Sequence, residues 1–316
     1  MKKITVVLLF LLVLTLSSCQ ESSRIIEYSD DEPFVIEMRN DTLQILQLTD
    51  LHLTYGIDAN DRKTFATIEK LVKSTDFDLI VITGDMTMST AGPTLFSKLI
   101  NRMEALETPW TFVFGNHEIE FHDYFDFLNL IKDTEYLYFK VGPELSNGGY
   151  GNFRITFTKD DADFYNLYFM DSHASREEYT EDEGEYDYIQ SSQVQWYSTH
   201  VENDVVDSMM FMHIPLRQFI DAEDYVGLFN EDKVYAQGVD TGLFDALVLA
   251  NRTKGVFVGH DHLNDFYFFS SGIYLAYGRV SGYNAYGNLE RGGRVIEVNE
   301  NSEMSTYILL ESEVSS

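Results

Sequence analysis

The chain has 316 residues, of which 44% are hydrophobic, and a formal net charge of −30. This apolar content suffices for a buried core, so the composition excludes a disordered chain. The negative charge repels phosphate backbones, and we therefore expect no nucleic-acid partner. A single cysteine, Cys19, excludes an intrachain disulfide. Any metal site would have to use His, Asp, Glu or Asn side chains.

The N-terminus has the layout of a secretory signal peptide. Two lysines precede an apolar run over residues 4–16, which is too short to favour a membrane-spanning helix. The sequence LSSC at its end resembles a bacterial lipoprotein box, in which Cys19 is the lipidated first residue of the mature protein. An ordinary cleaved signal peptide is the alternative. We expect residues 1–18 to be the signal, residues 19–40 a polar tether, and the protein to be extracytoplasmic and lipid-anchored to the bacterial cell membrane.

Residues 41–316 contain no repeat and no convincing linker, which favours one domain. In its first half, the predicted strands are residues 43–48, 77–85 and 110–118. The second is nearly continuously apolar, as is typical of a strand buried on both faces. Two segments between them place apolar side chains on one helical face: residues 62–75 and 93–106. This β-α-β-α-β order predicts a parallel sheet of α/β type.

The second half of the chain is richer in predicted strands. Residues 151–158 and 164–172 alternate apolar and polar residues and predict a hairpin. An acidic stretch over residues 176–188 predicts a solvated loop, and the alternative of a calcium loop lacks the EF-hand spacing. The remaining predicted elements are a helix over residues 191–202, strands within 208–215 and 255–262, and several short strands within 272–298.

Potential metal ligands follow five of the predicted strands. In chain order they are Asp50 and His52, Asp85, Asn116 and His117, His213, and His260 with His262. Ligands of open α/β sheets bind at the carboxyl ends of the strands, so we expect these side chains to converge. Carboxylates combined with imidazoles suit Zn, Mn or Fe better than Ca or Mg. There are more ligands than one ion needs, and a shared carboxylate could bridge a pair of ions suited to phosphoryl transfer.

The ordered motifs DLH, GD, GNHE, H and GHDH resemble the calcineurin-like metallophosphoesterases over about residues 43–298. The wider segments YDYIQSSQVQWY, MHIPLRQF and FVGHDHLNDF resemble the branch related to purple acid phosphatases. The resemblance implies an α/β fold, a four-layer α/β/β/α sandwich of two mixed sheets with its metal site at the carboxyl ends of the strands. Residues 41–316 would be the catalytic domain.

The resemblance also implies two bound metal ions, which would be Fe, Mn or Zn. One would be held by Asp50, His52, Asp85 and His262, and the other by Asp85, Asn116, His213 and His260. Asp85 would bridge the ions and is therefore counted among the catalytic residues. His117 would protonate the leaving oxygen or bind the phosphate. Asp261 would orient neighbouring groups or remain a surface charge.

One position departs from the purple acid phosphatase pattern. Those enzymes have an iron-binding tyrosine three residues after the aspartate of the GD motif, and this chain has Met88 there. We therefore do not expect the colour of a tyrosinate–iron bond or a stable ferric site.

The function implied is hydrolysis of a small phosphorylated substrate by a monomeric phosphomonoesterase, with in-line attack by a metal-bridging hydroxide. A phosphodiesterase or nucleotidase could use the same metal site, and Arg217 is a candidate to influence that choice. Arg279, in the loop over residues 277–287, could pair with phosphate, and the alternative for this loop is a glycine-rich turn with packing tyrosines. A non-catalytic binding lipoprotein is a further alternative, but no expected ligand is missing.

Overall fold

The computed structural model describes residues 24–315, so the predicted signal peptide and lipidation site lie outside the described residues. The strands are β1 Phe34–Glu37, β2 Leu43–Leu48, β3 Leu79–Thr83, β4 Trp110–Val113, β5 Phe153–Lys159, β6 Ala162–Phe169, β7 Ser208–Phe211, β8 Thr253–Val258, β9 Tyr267–Ser270, β10 Ile273–Tyr277, β11 Gly292–Val298 and β12 Met304–Leu310. The α-helices are α1 Ala59–Val72, α2 Gly92–Glu104, α3 Tyr124–Leu128, α4 Ser191–Val201 and α5 Leu243–Ala250. In this part of the chain, no helix is long and apolar enough to cross a membrane.

The strands form two mixed sheets. The smaller sheet has the order β12-β11-β2-β3-β4, in which β2, β3 and β4 are parallel as the sequence predicts. The larger sheet has the order β1-β5-β6-β7-β8-β10-β9, with β6, β7, β8 and β10 parallel. The predicted hairpin is the antiparallel pair β5–β6.

Alternating side chains divide the core into three apolar clusters. Along β3, Leu79 and Val81 pack between the two sheets, whereas Ile80 and Ile82 pack under the helix layer that includes α1 and α2. Along β7, Met210 faces a third cluster beneath α4 and α5. Both faces of these strands are covered, which explains their continuous apolar sequences. The result is the predicted four-layer α/β/β/α sandwich.

The predicted tether over residues 19–40 is too long, because its last part belongs to the folded domain. Strand β1 pairs in parallel with β5 at the edge of the larger sheet, with Phe34 opposite Ile155. Ile36 and Met38 are buried between the sheets. Strand β1 has only four residues, which are too few to show a recognisable alternation of apolar and polar residues in the sequence. Ile36 is buried because β1 pairs with β5 and one of its faces packs between the two sheets.

Candidate metal centre

The two sheets deliver the predicted ligands to one edge of the sandwich. Strands β2, β3 and β4 of the smaller sheet end before Asp50 and His52, Asp85, and Asn116, while β7 and β8 of the larger sheet end before His213, His260 and His262. Each of these side chains belongs to a residue that is at most 8% exposed. The structure therefore brings together all seven residues predicted as metal ligands.

The first predicted set consists of Asp50, His52, Asp85 and His262, and each residue offers one ligand atom within 4.8 Å of the others. His52 Nε2 lies 3.4 Å from Asp85 Oδ2, and His262 Nε2 lies 3.4 Å from Asp50 Oδ1. Neither ring nitrogen of His52 has a hydrogen-bond partner within residues 24–315. A buried imidazole without partners is costly, and a metal ion would satisfy one of its nitrogens.

The second predicted set surrounds His213. Its Nδ1 lies 2.8 Å from the Thr83 carbonyl oxygen, so this nitrogen carries a proton, and Nε2 is the atom that would bind an ion. His213 Nε2 lies 3.2 Å from Asp85 Oδ2 and 3.1 Å from Asn116 Oδ1. The Nδ1 atom of His260 is a further 3.2 Å neighbour of His213 Nε2. Four electron-pair donors facing one another fit a shared cation.

Asp85 belongs to both sets. Its Oδ2 atom lies between His52 on one side and His213 on the other, while Oδ1 accepts the backbone N–H of His117 at 3.0 Å. One buried carboxylate thus joins two groups of ligands, as a pair of ions requires.

The backbone is strained where the ligands leave their strands. Asp50, His52, Asp85 and His260 have φ angles of 53°, 46°, 49° and 80°, in the left-handed region that non-glycine residues adopt infrequently. Such conformations cost about 1–3 kcal/mol each and are concentrated at functional sites. At these positions the chain turns sharply after an apolar strand, which brings the side chains into the cluster.

Gly84 precedes Asp85 and makes this approach possible. It has a φ of 82°, and a Cβ atom there would lie 2.5 Å from His213 Nδ1. Gly115 has a similar role, since a Cβ atom there would overlap the Asp85 carboxylate. Any side chain at these positions would push the ligand-bearing turns apart.

Burial and charge act differently on the two neighbouring histidines His213 and His260. Burial opposes protonation of His213, but the charge and hydrogen bond of Asp85, together with Asp50 and the Thr83 carbonyl group, outweigh it and raise the pKa of His213 to about 10. At His260, burial and the positive charge of His213 act together and lower the pKa to about 3. The cluster therefore favours one positive charge between these rings, which a metal ion would supply in place of a proton.

Residues 43–264, more than half of the chain, match the family described as Calcineurin-like phosphoesterase. The chain belongs to this family. The curated relatives of this calcineurin-like phosphoesterase include a protein of Arabidopsis thaliana named "Probable inactive purple acid phosphatase 29". The two are 26% identical over 84% of this chain and 78% of the relative.

Two solved structures are similar in fold to this phosphoesterase. A dimetal phosphatase from Danio rerio superposes with a TM-score of 0.58 at 12% identity, over 85% of this chain and 96% of the other. The purple acid phosphatase PPD1 of yellow lupin superposes with a TM-score of 0.53 at 12% identity, over 87% of this chain and 52% of the other. These similarities confirm the predicted fold class.

Two buried acids of the phosphoesterase support the ligand-bearing turns. Glu118, the last residue of GNHE, accepts the backbone N–H groups of Thr87 and Gly115, both at 2.8 Å. It ties the turn after β3 to the turn after β4, and burial together with the Asp85 charge raises its pKa to about 7. Glu118 was not among the predicted site residues, although its place in the GNHE motif was the available signal.

Asp261, between two ligand histidines, is the second buried acid. It is 3% exposed and accepts hydrogen bonds from the Tyr277 hydroxyl at 2.7 Å and the Tyr235 backbone N–H at 3.2 Å. Burial raises its pKa to about 7. Of the two expectations for Asp261, the surface charge is wrong, and the orienting contact agrees with the structure.

A cavity of about 410 Å³ opens over the ligands. His117 lines it with a side chain that is 29% exposed, and its Nε2 atom lies 3.9 Å from Asp85 Oδ2. Its Nδ1 atom lies 2.7 Å from Glu120 Oε2, which fixes the direction of the ring. Met88 also lines the cavity. Five further residues line the cavity: Tyr186, Glu231, Tyr235, Asn284 and Tyr286. The last two belong to the loop over residues 277–287.

The two arginines considered for phosphate binding have other partners. Arg279 is buried, forms an ion pair with Asp265 and donates a hydrogen bond to the Glu290 carbonyl oxygen. Arg217 donates to backbone carbonyl oxygens, among them that of Gly238 at 3.1 Å. Neither arginine lines the 410 Å³ cavity. The contacts of Arg279 therefore do not support its expected pairing with phosphate. Its partner, Asp265, lies just before β9, and the sequence around Arg279 does not indicate this pairing.

Proposed function

We propose that this protein is a dinuclear metal-dependent phosphomonoesterase. The observation that carries the proposal is the position of Asp85 Oδ2, 3.4 Å from His52 Nε2 and 3.2 Å from His213 Nε2, where it joins two buried ligand sets. The relative from Arabidopsis is named as an inactive phosphatase. Here every predicted ligand position holds a metal-binding side chain, and these side chains are buried together, which favours an active site.

In this proposal, Asp50, His52, Asp85 and His262 hold one ion, and Asp85, Asn116, His213 and His260 hold the other. Two bound ions would supply a nucleophile from water at neutral pH and offset the charge of the phosphoryl group. His117 lies beside the ligands without belonging to either set, and its Nε2 atom faces the cavity side of Asp85. We assign it the transfer of a proton to the leaving oxygen, with Glu120 holding the opposite ring nitrogen.

Metal analysis and phosphate-ester hydrolysis test this proposal together. The full-length protein, loaded in turn with Mn, Zn or Fe, is assayed with p-nitrophenyl phosphate and with bis(p-nitrophenyl) phosphate. Two metal ions per chain and turnover of the monoester support the phosphomonoesterase. Turnover of the diester alone would replace it with a phosphodiesterase, and fewer than one ion per chain with no turnover would refute an enzymatic role.

We also propose that the mature protein is a monomer held at the outer side of a bacterial membrane by a lipid on Cys19. The LSSC sequence after the apolar run supports this anchor. The test is fractionation and lipid labelling of cells that express the parent or Cys19→Ala. The parent should sediment with membranes and carry the lipid label. The variant should lose the label and should no longer be held at the membrane by a lipid. Equal lipid labelling of both proteins would refute the anchor.

A further inference from the structure

One wall of the cavity, beside the candidate metal ligands, is aromatic and acidic. Tyr186, Tyr235, Tyr286 and Glu231 contribute to it, and among residues 24–315 neither a lysine nor an arginine lines the cavity. Sites that bind additional phosphate or carboxylate groups use such cations. A substrate with a second anionic group would therefore meet a carboxylate without a balancing charge.

The Glu231 side chain is held in place by hydrogen bonds to one of its two carboxylate oxygens. Its Oε1 atom accepts the backbone N–H of Leu263 at 3.1 Å and also the Tyr286 hydroxyl hydrogen bond. Both hydrogen bonds end on the same oxygen, so Oε2 can face a ligand in the cavity. Since Leu263 directly follows the ligand His262, this carboxylate has a fixed position relative to the metal centre.

Two of the tyrosine rings contact metal-ligand histidines directly. Tyr286 stacks on His262 with 4.0 Å between ring centroids, and Tyr186 packs edge-on against His260 at 4.2 Å. Tyr235 already has a cationic neighbour, because the Lys233 ammonium lies 4.8 Å from its ring centroid. Aromatic rings attract cations through their electron-rich faces, most strongly where water is partly excluded.

We propose that the substrate of this site is a small phosphomonoester whose alcohol carries a quaternary or protonated amine. The inference rests on the proposed phosphomonoesterase. The phosphoryl group would lie at the metal centre, and the cationic group would lie between Glu231, Tyr186 and Tyr286. Water would form a new bond to phosphorus as the bond to the alcohol oxygen breaks, releasing inorganic phosphate and the amino alcohol, with His117 returning a proton to that oxygen.

Two isosteric substrates test this inference with the full-length, metal-loaded protein. Phosphocholine carries a trimethylammonium group, and 3,3-dimethylbutyl phosphate has a neutral tert-butyl group of nearly the same shape. We expect kcat/KM, measured by phosphate release, to be about 10-fold higher for phosphocholine. Glu231→Gln should reduce this ratio to about 3-fold or less. Glu223→Gln removes the same charge from an exposed position outside this cavity and should leave the ratio unchanged.

Three outcomes would overturn the inference, and they can be distinguished. If p-nitrophenyl phosphate is hydrolysed but the two isosteres have equal kcat/KM, the cation site is refuted and the phosphomonoesterase remains. If the preference persists in Glu231→Gln, or is lost equally in Glu223→Gln, the Glu231 carboxylate does not select the cation, and the inference fails. If no monoester is hydrolysed with any metal, the proposed function fails and the inference fails with it.

Discussion

Replacing His117 with alanine separates catalysis from metal binding. The side chain is 29% exposed, and its ion pair with Glu120 is partly solvated, so its loss should change the free energy of unfolding by less than about 1 kcal/mol. His117 belongs to neither ligand set, so metal content should stay at the parent value. Loss of a proton donor should lower kcat by about 10²–10⁴-fold, or roughly 3–5 kcal/mol in the barrier.

The assay compares kcat for glycerol 2-phosphate, whose alkoxide leaving group, unlike p-nitrophenolate, needs a proton. The proteins compared are the parent, His117→Ala, Glu120→Gln and a matched control, His122→Ala. Glu120→Gln should give a smaller loss, about 10-fold, because it removes the carboxylate that orients the ring but not the ring itself. His122 instead contacts the Thr90 carbonyl oxygen, and its variant should retain the parent rate. A His117→Ala protein that loses its metals, or one that keeps the full rate, would refute the assigned role.

Asp85→Asn should bind less than one ion per chain by elemental analysis and should lose turnover. Removing the ions from the parent with a chelator should abolish turnover in the same way. Two ions retained in Asp85→Asn would contradict the role of Asp85 as a shared ligand. Gly84→Ala should cost at least about 2 kcal/mol in urea unfolding, because its methyl group would strike His213, whereas Gly242→Ala, at φ 87° with open space, should cost about 1 kcal/mol. Asp265→Ala should cost about 3–5 kcal/mol, because it leaves its arginine partner buried and unpaired; an unchanged urea midpoint would contradict this.

The strands and the candidate metal ligands were predictable from one sequence pattern, an apolar run followed directly by polar residues. Strands β3 and β7 are buried on two faces, so their sequences are almost continuously apolar, and a polar residue that follows such a run is conspicuous. Asp85 and His213 could be identified in this way. The distance between Asp85 and His213 could not be predicted from the sequence, because it depends on how the two sheets pack against each other.

The cavity wall and the edge of the domain were not predictable by the same signal. Tyr186 and Glu231 lie in irregular segments without periodicity, and they meet the metal centre only through the tertiary fold. Strand β1 lies within a polar stretch, where Ile36 gives too short a pattern. Arg279 was a reasonable phosphate contact by residue type, but its buried partner, Asp265, is set by packing alone.

The two-sheet origin of the ligands determines when the site can form during biosynthesis. The backbone N–H of His260 donates to the Asp50 carboxylate across 210 residues of sequence, so the centre closes a loop that contains most of the domain. Closing such a loop is entropically unfavourable until both sheets have paired. A chain made from its N-terminus cannot complete either ligand set before β8 and its following turn have emerged. Under the proposed function, ions could therefore bind only after the last strands have folded, and the metal supply of the compartment where this happens would select which ions the site holds.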